Sequence, residues 1–94
     1  MKFAFLIMGQ FDPQKDRTSI CDGTTMMIGV SNLEQACEEA KNLADQGVSC
    51  IELCGAFGED GARKVIEATG SCLPVGYVVH LPEQDELFHA VFGD

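Results

Sequence analysis

The sequence predicts an α/β fold: one small domain over residues 1–94, with a mostly parallel four-stranded sheet and three main helices. Three observations carry this. Residues Phe3 to Met8 are apolar at every position, the pattern of a strand covered on both faces. Beyond residue 24, short apolar runs of strand length alternate with stretches whose apolar residues recur at helical spacing. Glycines close the segments, notably Gly9, Gly47 and Gly70.

Taken in order, the first strand is Phe3 to Met8. Residues 10–24 hold Asp12-Pro13, Lys15-Asp16-Arg17 and Asp22-Gly23, which is loop chemistry. A connection of that length is often functional or mobile. Thr24 to Val30 is the second strand. Ser31-Asn32-Leu33-Glu34 reads as a capping box with Ser31 at the helix start. Leu33, Ala36, Cys37, Ala40, Leu43 and Ala44 then share one helical face. Gly47 stops that helix as a left-handed cap.

Val48 to Cys54 is the third strand, and the second helix runs from about Glu59 to Thr69. Pro74 opens a fourth strand, Val75 to His80. Leu81-Pro82 starts a last helix, with Glu83, Asp85 and Glu86 at the positive end of its dipole. Leu87, Phe88, Val91 and Phe92 form its apolar face. If the strands lie in chain order, the helices share one face and the domain looks like a fragment of an α/β barrel. The opposite face then needs cover, because the first and fourth strands are too apolar to meet water. A partner or the N-terminal segment would supply that cover, and the need for it argues for a homo-oligomer.

The formal charge is −9, from six basic and fifteen acidic residues, and the pI is near 4.4. That field repels phosphate backbones and anionic membranes, so neither nucleic acid nor a membrane is an expected partner. The five cysteines are an odd number with no CxxC pair. Cys50 and Cys54 would stand about 13 Å apart along a strand at ~3.3 Å per residue, too far for a disulfide. No secretory signal is visible, so the expectation is a cytoplasmic protein with reduced thiols.

The candidate site is built around Glu52, Cys54 and His80. Glu52 lies between Ile51 and Leu53 in a strand expected to be central, where a carboxylate is costly to bury. It reads as a general base or polar anchor, or else as a residue facing solvent or pairing across an oligomer contact. Strand parity puts Cys50, Glu52 and Cys54 on one face. Cys54 stands just before a helix start, where a thiol can gain reactivity, although most such cysteines simply pack. His80 ends the fourth strand as an acid/base group or as a cap for the next helix.

Gly55-Ala56-Phe57-Gly58 joins strand to helix. Gly55 and Gly58 allow close backbone approach and Phe57 supplies an apolar wall, so the turn is a ligand-binding candidate. An ordinary tight turn has the same composition. Dinucleotide and P-loop fingerprints are absent, and Glu59-Asp60 would repel a phosphate. No zinc-site spacing occurs, and no cofactor is indicated.

The opening Lys2-Phe3-Ala4-Phe5-Leu6-Ile7-Met8-Gly9, the segment Cys50 to Gly58, and Pro74 to Val78 running into His80-Leu81-Pro82-Glu83 resemble a family of small prokaryotic proteins known only as a domain of unknown function. That resemblance implies an uncharacterised protein of bacterial type and carries over no catalytic residue. The residues themselves suggest a small-molecule-binding or enzymatic oligomer with its site at the C-terminal strand ends. The alternatives are a non-catalytic interaction or regulatory module, and a metal- or thiol-handling protein. No motif fixes a reaction.

Overall fold

Apolar side chains on β1 (Phe3–Met8) place it at the centre of the sheet. A computed structural model describes residues 1–93. β1 is flanked by β3 (Thr25–Val30) and β4 (Cys50–Leu53), both parallel to it. β5 (Val75–Tyr77) adds parallel to β4, and β2 (Arg17–Ile20) pairs antiparallel with β3. The order is β2-β3-β1-β4-β5. The sheet thus has five strands where the sequence suggested four, and β1 interrupts the chain order expected of a barrel fragment.

The additional strand lies inside the segment expected to be one long loop. Arg17 to Ile20 pair with Thr25 to Ile28 across a tight turn. Cys21, Asp22 and Gly23 all take positive φ there, and Thr24 closes the turn by donating its amide and hydroxyl to the Cys21 carbonyl. The rest of the segment is tied down too. The Gly29 amide donates to the Asp16 carbonyl at 2.8 Å, and the Ser31 hydroxyl to the Phe11 carbonyl at 2.8 Å.

α1 (Leu33–Asp45) carries the chain from β3 to β4, and α2 (Gly58–Ala68) from β4 to β5. The cap of α1 sits one residue later than its sequence suggests. Asn32 Oδ1 accepts from the Gln35 amide at 2.8 Å, and Gln35 Oε1 accepts from the Ser31 amide at 2.7 Å. Gln35 does what Glu34 was expected to do, because the helix begins one residue further on. Both helices end in Schellman motifs around Gly47 and Gly70, each at positive φ. Val48 and Ser71 there donate to the Leu43 and Ile66 carbonyls.

Both helices pack on the same face of the sheet. Alanines 36, 40 and 62 allow close approach to Leu6, Ile28, Val30, Ile51 and Leu53, all of them sealed from solvent. By strand parity the opposite face carries Phe3, Phe5, Ile7, Thr25, Met27, Cys50, Glu52 and Gly76. No helix covers it. Phe3, Phe5 and Ile7 stay half-exposed, and Met27 is 44% exposed.

The chain beyond β5 departs most from expectation. The strand ends at Tyr77, not His80. The Val78 amide still reaches the Leu53 carbonyl at 2.9 Å, but β4 has by then turned away and offers nothing further. A 3-10 turn (Pro82–Gln84) leads into α3 (Asp85–Phe92). Leu87, Phe88, Val91 and Phe92, the expected core face of α3, are all exposed. Among the described residues no helix is long and apolar enough to cross a membrane.

Candidate functional site

Glu52 lies in the middle of the uncovered face, as strand parity requires. Its register partner on β5 is Gly76. A β-carbon at Gly76 would stand 3.0 Å from both carboxylate oxygens, so the glycine leaves the room that Glu52 occupies. Among the described residues no cation forms an ion pair with this carboxylate. Its one hydrogen-bond partner among the described residues is the Cys50 thiol, whose Sγ donates to Oε1 at 3.8 Å. Burial pushes the Cys50 thiol above its ordinary pKa, and the adjacent Glu52 charge and hydrogen bond push it the same way. Cys50 is therefore a protonated donor at neutral pH rather than a nucleophile.

Cys54 follows β4 at the entry to a 3-10 turn, Gly55–Phe57. Its sulfur accepts from the Met8 amide at 3.3 Å, and its own amide donates to the Leu6 carbonyl at 3.1 Å. It thus ties the carboxyl ends of β1 and β4 together, and it packs partly against the core.

The glycine turn divides into two parts. Phe57 points inward, 6% exposed and packed in the core against Gly61, so it is not the apolar wall of an open cleft. Its amide is committed to the Cys54 carbonyl at 3.2 Å. Gly55 faces the chain after β5, where a β-carbon would meet the Val78 carbonyl at 3.5 Å. Gly58 takes φ +65°, a conformation that favours glycine, as the chain swings into α2. Glu59, one of the acidic residues after the turn, is paired with Arg63 one helical turn on.

His80 is engaged with its own segment. Its Nε2 lies 2.8 Å from Asp85 Oδ1, and its ring stacks on Phe88 at a centroid distance of 3.9 Å. Phe88 stacks in turn towards Phe92. Cys50 and Glu52 are therefore brought together on β4, Cys54 and Gly55 line the strand ends, and His80 belongs to the α3 arm. Sequence reasoning missed Asp85, which it read as a dipole partner. Its spacing of five residues from a histidine just before a helix was the available signal.

Phe11 was also missed. Its ring lies over Gly9 and Gly29, where a β-carbon at Gly29 would stand 2.7 Å from Phe11 Cβ and Cγ. It borders a shallow cavity of about 280 Å³ with Ile7, Met27, Arg17 and Asp16, on the uncovered face. On the helix side, Cys37 is structural. Burial raises its pKa, and its thiol donates to the Lys64 carbonyl at 3.6 Å between the helices. All five cysteines are free, with Cys21 and Cys72 exposed. Among the described residues no group of three His, Cys, Asp or Glu side chains is placed to hold a metal ion.

No curated protein and no solved structure matches the chain. A family model described as Family of unknown function (DUF6506) matches residues 1–93, and the chain belongs to that family.

Proposed function

We propose that this member of a family of unknown function is a homo-oligomer that binds a small molecule over the uncovered sheet face and the carboxyl ends of β1, β4 and β5. The observation that carries the reading is the Glu52 carboxylate. It stands among Phe3, Phe5 and Cys50 without a cation, in a gap kept open by Gly76. An unpaired carboxylate in apolar surroundings gains most from a ligand that brings a cationic or hydrogen-bond-donating head with an apolar body. The net charge of −9 draws the same class of ligand.

Glu52 is the anchor or acid/base group, and Cys54 with Gly55 and Gly58 forms the rim at the strand ends. His80, oriented by Asp85, is the second proton carrier if chemistry follows binding.

The test is a thermal-shift screen of small amines and hydroxyl compounds on the native protein and on Glu52→Gln. A ligand at a hundred times its Kd stabilises by about 2.7 kcal/mol, which for a domain of this size raises Tm by about 10 °C or more. The shift should vanish in Glu52→Gln. Equal shifts in both proteins would move the site elsewhere. The second reading, a non-catalytic interaction module, is favoured by the exposed apolar side of α3. A blank screen with a stable protein complex would select it.

A further inference from the structure

Among the described residues, two apolar surfaces have no partner. One is the sheet face of Phe3, Phe5, Ile7 and Met27. The other is the arm after β5, where Val79, Leu81, Leu87, Val91 and Phe92 are each more than 60% exposed. We infer that the arms are exchanged: α3 of one copy lies across the uncovered sheet face of a second copy, and the second copy returns the contact. This rests on the reading of the protein as a homo-oligomer and names the element that joins the copies.

Four observations support it. First, α3 has only eight residues. Isolated helices shorter than ~12–15 residues are marginal in water, so a helix of this length needs docking to persist. Second, the arm is pre-shaped rather than loose. The His80–Asp85 hydrogen bond, the His80–Phe88 stack and the Gln84 amide on the Leu81 carbonyl hold one geometry while leaving the apolar side open. Third, the dimensions agree. Eight residues span about 12 Å at ~1.5 Å each, and the three strands β3, β1 and β4 span about 10 Å at ~4.8 Å spacing.

Fourth, the area suffices. At ~100 Å² for each of the five exposed side chains, two arms remove on the order of 1,000 Å² from water. The partly exposed Phe3, Phe5, Ile7 and Met27 of the two sheet faces add on the order of 500 Å² in all, and the total falls within the roughly 1,200–2,000 Å² of stable interfaces.

A second copy fits better than an unrelated protein because each copy supplies what the other lacks. The contact is isologous and closes at two subunits. It also changes the site. An arm laid over Phe3, Phe5 and Ile7 roofs the region beside Glu52, so the pocket is complete only between two copies.

The experiment uses full-length protein in a 1:1 mixture of isotope-labelled and unlabelled chains. Isotope-filtered NMR should show contacts between the Leu87 and Val91 methyls of one chain and the Ile7 and Met27 methyls of the other. In parallel, Val91→Glu, which alters an exposed side chain, should halve the particle mass while the far-UV CD spectrum stays native. A dimer without these contacts, or a Val91→Glu protein of unchanged mass, overturns arm exchange and leaves the oligomer reading standing. A native protein at the mass of one chain overturns both.

Discussion

The two faces of the sheet are made by the same strands and end in different surroundings. On the helix side Ala4, Leu6, Ile28, Val30, Ile51 and Leu53 are sealed by α1 and α2. On the other side Phe3, Phe5 and Ile7 remain partly exposed and Met27 is 44% exposed. In β1 the larger apolar residues lie on the side without cover, and the small Ala4 lies under the helices. Solvent-facing strands normally alternate with polar residues. The sequence of β1 therefore specifies a second layer that α1 and α2 do not provide. The same contrast separates the helices. α1 and α2 hide their apolar sides, whereas α3 displays its own.

The sharpest way to probe the contrast is to truncate neighbours in β1. Leu6→Ala, on the helix side, should cost about 2–5 kcal/mol, the usual loss for a sealed leucine, read by urea denaturation. On the proposed arm exchange a second copy buries Phe5, so Phe5→Ala should cost less at low protein concentration and more as concentration rises. Equal, concentration-independent losses would break the comparison.

Gly29→Ala should have the next largest effect. The new methyl would collide with Phe11 Cβ and Cγ at 2.7 Å, on a side chain pinned through the Ser31 hydroxyl and the Phe11 carbonyl. Overpacking of this kind costs about 1–3 kcal/mol, visible as a lower Tm. An unchanged Tm would mean that Phe11 does not cap this face in solution.

The smallest effect is on thiol chemistry. Cys21 and Cys72 should alkylate readily at pH 8, and Cys37 and Cys50 slowly, because burial holds both of the latter above the ordinary value of 9.0. Glu52→Gln should speed Cys50 alkylation several-fold by removing the neighbouring negative charge, without affecting Cys37. The sign for stability follows. Thiols whose pKa is raised by folding contribute fully below pH 9, and that contribution is lost as pH climbs through their raised values. Uniform alkylation of all four would contradict the burial pattern.

The helices and the four apolar strands were legible because their signals are local. Alanines and leucines at helical spacing, glycine stops and an all-apolar β1 each point to one structure. β2 was not legible because Arg17-Thr18-Ser19-Ile20 is exposed at every position and carries no apolar pattern. The Asp22-Gly23 pair beside β-branched Thr18 and Ile20 was the available hint of a hairpin.

The position of Glu52 followed from parity alone. Its pairing with Gly76 did not, because register between strands more than twenty residues apart leaves no local trace. Phe57 looked like a wall and is core, since a glycine turn does not reveal which way its aromatic residue points. The amphipathic pattern of α3 was read correctly, but a pattern shows that a helix has an apolar side and not which molecule covers it.

The central claim is that the uncovered face is an interface between copies of this chain. Sedimentation equilibrium of the native protein over micromolar concentrations tests it most directly. The account predicts twice the 10.1 kDa of one chain, with dissociation on dilution. A mass of 10.1 kDa across the whole range would contradict it, leaving Phe3, Phe5, Ile7 and α3 exposed to water.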